Sequence, residues 1–181
     1  MKTDLCFILC GLLLFCAACD KDDPPKPVPP ITQENTFSCK INGEVFIPEP
    51  HGVLPTSPGI RVILHNGNSW LFDLANKRRD IYIYIYNVTA TGKFTIVASD
   101  GDNDFFGETE NRAEMEDDLL KIDYASLNNN EEINILELEI NKSIIFEFDE
   151  ITLVNVTDPT DVLVLSEGKL NVNLETLNAE E

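Results

Sequence analysis

Residues 80–87 read Asp-Ile-Tyr-Ile-Tyr-Ile-Tyr-Asn, with isoleucine and tyrosine in strict alternation. A period of two sends successive side chains to opposite faces, so this stretch is a strand and cannot be an amphipathic helix. The same period recurs between turn signals along the chain. Phe37-Ser38-Cys39-Lys40-Ile41 and Glu44-Val45-Phe46-Ile47 flank Asn42-Gly43, a hairpin signal in which both turn residues tolerate positive φ. Residues 60–65 and the Trp70, Phe72, Leu74 face lie on either side of Asn66-Gly67-Asn68, and Lys77-Arg78-Arg79 reads as a charged, solvated turn. Residues 92–97, 119–124, 133–140, 143–156, 161–165 and 169–174 continue as strands, and the proline- and glycine-rich residues 48–59 as loop. The pattern breaks over the acidic residues 99–118, where 108–120 is expected as a short helix. Ile133 and Ile135 give way to Leu136 and Leu138, and Phe146 and Phe148 to Ile151 and Leu153. A strand changes phase only through an extra residue, which predicts bulges near 135–136 and 149–150. The expected fold is all-β, an antiparallel β-sandwich, with a small up-and-down β-barrel as the alternative. Its expected core is Phe37, Phe46, Trp70, Phe72, Phe94, Phe146, Phe148, Leu170 and Val172.

The N-terminus carries a different message. Lys2 precedes an apolar run over 5–18, shorter than the about 18 residues a membrane-spanning helix needs. Phe15-Cys16-Ala17-Ala18-Cys19 closes it as the end of a bacterial lipoprotein signal peptide, which makes residues 1–18 the signal and Cys19 the lipidated first residue of the mature chain. Each buried methylene of the attached fatty chains, palmitate among them, contributes about 0.8 kcal/mol, so several chains anchor firmly. Asp20-Lys21-Asp22-Asp23 resembles the lysine-plus-acidic export signal of Bacteroidota surface lipoproteins, which implies the outer face of the outer membrane. Residues 19–35 form a stalk that holds half of the 10 prolines. In polyproline II at about 3.1 Å per residue it reaches roughly 50 Å. Residues 36–181 are then a single β domain, long enough for a sizeable core.

Removing the signal takes one acid, Asp4, and one base, Lys2, so the net charge stays at −19. That charge repels phosphates and anionic headgroups and excludes nucleic acid as a partner. Of the 5 cysteines, Cys6, Cys10 and Cys16 leave with the signal, and Cys39 has no intramolecular partner beside the lipidated Cys19. Cys39 therefore reads as a small buried hydrophobe, and the fold rests on its core.

Three groups are candidates for chemistry. Tyr82, Tyr84 and Tyr86 share a strand face about 6.6–6.8 Å apart, a row that can stack sugar rings if open, or pack against cross-strand neighbours if covered by the 99–118 segment. Asp100, Asp102 and Asp104 match the first half of a calcium loop, but Phe105 stands at its glycine position and Asn111 at its bidentate glutamate. Ca²⁺ bound there, with Glu108 or Asp117, competes with a plain solvated acidic loop; no other cofactor is expected. His51 and His65 sit in no nucleophile or zinc motif, and carboxylate pairs need a separation in space before they argue for a hydrolase.

The opening Phe37-Ser38-Cys39-Lys40-Ile41-Asn42-Gly43-Glu44-Val45-Phe46, the Gly92-Lys93-Phe94 strand, Ile144-Ile145-Phe146-Glu147-Phe148 and the closing Ser166-Glu167-Gly168-Lys169-Leu170-Asn171-Val172 resemble a family of Bacteroidota surface lipoproteins of unknown activity. The resemblance implies location and fold and assigns no site. The expected function is a non-enzymatic binding module displayed on the outer membrane, with a glycan or a partner protein as ligand. The alternatives are an assembly subunit of a surface complex and a carboxylate-dependent hydrolase.

Overall fold

A computed structural model describes residues 33–52, 58–65 and 67–177. The expected signal peptide, the expected lipidation site Cys19 and the expected stalk as far as residue 32 lie outside the described residues. Gln33 to Asn35 are already tied to the domain, for the Asn35 side-chain oxygen accepts from Asn173 N (3.1 Å) and the Glu34 carboxylate accepts from Thr176 Oγ1 (3.1 Å).

Among the described residues, eleven strands and one helical turn follow in the order β1 (Thr36–Ile41), β2 (Glu44–Phe46), β3 (Ile60–His65), β4 (Ser69–Ala75), β5 (Arg79–Ile85), β6 (Gly92–Thr95), β7 (Arg112–Asp117), β8 (Ile122–Ser126), β9 (Glu132–Glu139), β10 (Ser143–Asn155), β11 (Val162–Asn173) and α1 (Leu174–Leu177). Asn42 and Gly43 take positive φ (49° and 87°) and turn β1 into β2, the hairpin their sequence predicts.

All the strand pairs are antiparallel, in the order β2-β1-β11-β10-β8-β7-β5-β4-β3. The 13-residue β10 is the branch point. On the edge away from β11, its Ser143–Glu147 half pairs with β9 and its Leu153–Asn155 end with β8. Thr152 lies between the two ladders, and the Glu131 carboxylate accepts from its N–H (2.8 Å) and its hydroxyl (2.6 Å). A side chain thus completes the ladder where two strands diverge.

The sheet closes on itself. Phe72 of β4 meets Phe146 of β10 edge to face at 5.2 Å, although β5, β7 and β8 separate them along the ladder. Contact is reached only across a concave interior, so the sheet curls into a half-barrel. Trp70 stacks beside Phe72, and Ile133 and Ile135 of β9, with Phe94 of β6, close the same cluster from the branch. The antiparallel all-β class is as the alternation predicts, and its facing layers belong to one continuous sheet. Every expected core residue lies in this cluster, Phe94 partly and the others fully buried. Cys39 is fully buried and unbridged, and burial pushes its thiol up to about 12.

Both phase changes are present. Ile145 pairs with Glu137 and Phe146 with Ile135, which leaves Leu136 as the extra residue of a bulge. The bulge expected at 149–150 is absent: Phe148 faces Gly168 and Glu150 faces Ser166 in one unbroken register, and the two strands change phase together through Asp149 and Glu167, Glu167 with φ of 53°. β1 follows with its own shift between Ser38 and Lys40. The kink places the Phe148 ring over Gly168, where an added Cβ would stand 2.1 Å from ring atoms. Other expectations are revised: residues 108–120 form no helix, since β7 occupies their centre, 118–121 turn into β8, and the strands expected at 161–165 and 169–174 are one continuous β11. Ala113 and Met115 face the core while Glu114 is buried on the opposite face; the period of two is short and is masked by alanine, glutamate and methionine, all good helix formers.

Gly168→Ala should therefore destabilise by about 1–3 kcal/mol in urea titration, since the Phe148 ring must move. Phe148→Ala in the same chain should absorb most of that added loss. Strictly additive losses would place the ring elsewhere.

Candidate binding surface on the outer face

β4 is buried at every residue, Ser69 to Ala75. Trp70, Phe72 and Leu74 face the core, so Leu71 and Asp73 must be covered on the convex side. Leu71 is covered by the segment between β6 and β7, and Asp73 is held by Arg61 of β3. Phe105, 3 % exposed, forms a second apolar cluster with Leu71 and Tyr84, against which Ile63, Tyr82 and Tyr86 pack. Its ring lies 5.6 Å from Tyr84 at 27° and 6.3 Å from Tyr82, and the Tyr84 hydroxyl donates to Glu108 O (3.0 Å).

Carboxylates hold the rest of the loop. Glu114, 1 % exposed beneath it, accepts from Ser99 Oγ and from Asn103 N (3.0 Å). Burial pushes the Glu114 carboxyl above its usual range, against the pull of those two bonds. Asp102 Oδ1 accepts from Asp104 N (3.0 Å) and Asp104 Oδ1 from Phe106 N (3.0 Å), two successive aspartate-capped turns. Gly101 bends the entry with φ of 76°, where a Cβ would stand 2.6 Å from Val156 Cγ2. Arg112 binds Glu108 at 2.7 Å and lies 3.8 Å from Asp100 and 4.0 Å from Glu110. With Phe105 turned in, its neighbour Phe106 is turned out, 82 % exposed, its ring perpendicular to His65 at 4.9 Å.

Both sequence-derived candidate sites fall on this face, and both are altered by it. The tyrosine row is no open platform: Tyr84 is 1 % exposed under Phe105, and Tyr82 and Tyr86 are half-buried. The expectation of three rings across one flat ligand is corrected by that cover. Carboxylate oxygens of Asp100 and Asp102 lie within 4.8 Å of Glu114, whereas Asp104 is turned away to cap Phe106 N. The acidic group is therefore Asp100, Asp102 and Glu114, three carboxylates where calcium takes six to eight oxygens, with both Glu114 oxygens already bonded. It is not evidence of a cofactor. Phe105, Phe106 and Glu114 are the residues sequence reasoning passes over; the Phe-Phe pair inside an acidic stretch is the signal that marks them. The Lys77-Arg78-Arg79 turn is also less solvated than expected, since Arg78 and Arg79 reach the buried Asp117 at 3.0 and 3.4 Å. Burial raises the Asp117 carboxyl, but bonds from Leu120 N and Arg78 outweigh it and the net shift is downward.

No family model matches the chain, and neither a curated protein nor a solved structure does. Among the described residues, no helix is long and apolar enough to cross a membrane.

Further along the same face lies Asp80, whose Oδ1 is buried with no hydrogen-bond partner among the described residues. Burial first, then the charges of Asp73, Asp118 and Glu116, raise it to about 6, with His51 opposing. The unfolded value is about 3.9, so the fold disfavours the charged form. Stability from this group is complete below the unfolded value and is lost as pH rises through 6. Asp80→Asn should stabilise the chain at pH 7.5 by about 1–2 kcal/mol, the shift being discounted for solvent screening. At pH 3.5, below the unfolded value, the gain should all but vanish in the same denaturant titration. An equal gain at both pH values would contradict the assignment.

Proposed function

We propose that the protein is a lipid-anchored, surface-displayed binding module without catalytic activity, and that the loop over the outer face makes its contact. One observation carries the reading: Phe106 is held out in water by a loop that is pinned on both sides of it. Burying a phenylalanine contributes about 1.5–3 kcal/mol, which the folded chain forgoes here. A held, exposed aromatic beside a second ring is the geometry of an interface anchor. The lipobox ending at Cys19, the acidic export signal and the proline-rich stalk support display on the outer membrane. The histidines do not support catalysis: His51 Nδ1 lies 3.2 Å from Glu49 O, and His65 is engaged by the rings of Phe106 and Tyr84.

A second reading, assembly through a sheet edge, has its own observation. Among the described residues, β2, β3 and β6 are edge strands; β2 has three residues and β6 four, including the charged Lys93. β3 is the unprotected one, six residues whose one full charge, Arg61, is bound back to Asp73 (2.9 Å). Ala75 N donates to Gly59 O, so odd-numbered residues exchange bonds with β4 and those of 60, 62 and 64 point to the open edge.

Protease shaving of intact cells should release the domain from wild type, and Cys19→Ala should lose both lipid labelling and retention. Purified chain screened on glycan and peptide arrays should give a ligand that Phe106→Ala loses without a change in melting temperature. A ligand retained by that variant but lost by Val62→Pro, which removes one outward N–H, would overturn the loop in favour of the edge.

A further inference from the structure

Resting on that outer-face reading, we infer that the ligand is a cationic segment of another protein, a chain bearing arginine or lysine, and not a flat sugar. The rings decide against the sugar. Tyr84 is closed off by Phe105, Tyr82 and Tyr86 are half-buried to either side of it, and Phe106 stands perpendicular to His65, so this face offers no flat row of open rings among the described residues for an extended saccharide. Phe106, braced edge to face by His65, is left as the open ring, which suits a guanidinium or ammonium group within about 6 Å of its centroid.

The charges around Phe106 decide for the cation. Asp102 and Asp104 form no ion pair among the described residues, and each has one oxygen, Oδ1, committed to its turn. The second oxygen of each is left to accept a charged donor. Asp100 and Glu110 are 68 % and 58 % exposed. Arg112, the basic residue of this loop, is 17 % exposed and engaged with Glu108 at 2.7 Å, so it offers incoming anions little. The carboxylates steer a basic chain towards the loop, and Phe106 supplies the desolvated centre of the contact. A second copy of this chain, at −19, is repelled by the same field.

The test uses the full chain and three probes: a synthetic peptide rich in arginine and lysine, its glutamate-substituted counterpart, and a neutral oligosaccharide, each followed by fluorescence anisotropy. The cationic peptide alone should bind. Its affinity should fall roughly tenfold in Phe106→Ala and several-fold in the double variant Asp102→Asn, Asp104→Asn, whose amide oxygens still cap both turns. It should also weaken as salt is added. Equal binding by wild type and Phe106→Ala would overturn the inference, because the peptide would then be answering net charge alone. No binding of the peptide would overturn it too. Oligosaccharide binding that depends on Phe106 would overturn the cationic partner and leave the outer-face site standing. A ligand from the array screen that is indifferent to Phe106 would remove the site itself.

Discussion

A strand buried on both faces, β4, sets the demand that the rest of the fold answers. Trp70, Phe72 and Leu74 cannot be covered by one flat sheet, so the ladder curls until β10 brings Phe146 against Phe72. On the other side Leu71 calls for a separate cover, which the loop from β6 to β7 supplies through Phe105, while Asp73 is held by Arg61 of β3. Concave core and convex loop are thus two consequences of one strand. The kink at Phe148 and Gly168 belongs to the same demand, since it re-aims β10 and β11 in mid-length and keeps both halves facing inward.

An acidic chain has to place carboxylates where they are bonded, and this one uses several as structural parts. Glu131 fills the gap between two ladders, Glu114 anchors the loop from below, and Asp102 and Asp104 cap its turns. Asp80 is the exception, a buried oxygen among like charges that has no partner among the described residues. Buried polar groups are costly unless hydrogen-bonded. The contrast separates carboxylates that build the loop from one that strains the sheet beside it.

Much of the fold was legible because period two and turn chemistry are local. The Asn42-Gly43 hairpin, the bulge at Leu136 and the phase change at 149–150 all follow from residues within a few positions of one another, although at 149–150 the partner strand changes phase too and no extra residue is needed. β7 was misread for a physical reason: its alanine, glutamate and methionine are good helix formers, and the loop that buries Glu114 on its outer face is placed by long-range packing. The site suffered the same loss. The tyrosine alternation places three rings on one face, but only tertiary structure shows that Phe105 closes it and leaves Phe106 outside. The curl itself was invisible, because no local signal distinguishes two sheets from one sheet folded over.

Native-state amide exchange tests most directly whether the loop is a fixed cover on β4. The amides of Asn103, Asp104 and Phe106, each bonded to a carboxylate, should exchange slowly in the wild-type chain and lose their protection together in Phe105→Ala, while the β4–β5 ladder stays protected. Loop amides that exchange at unprotected rates in the wild type, over a slowly exchanging ladder, would contradict it.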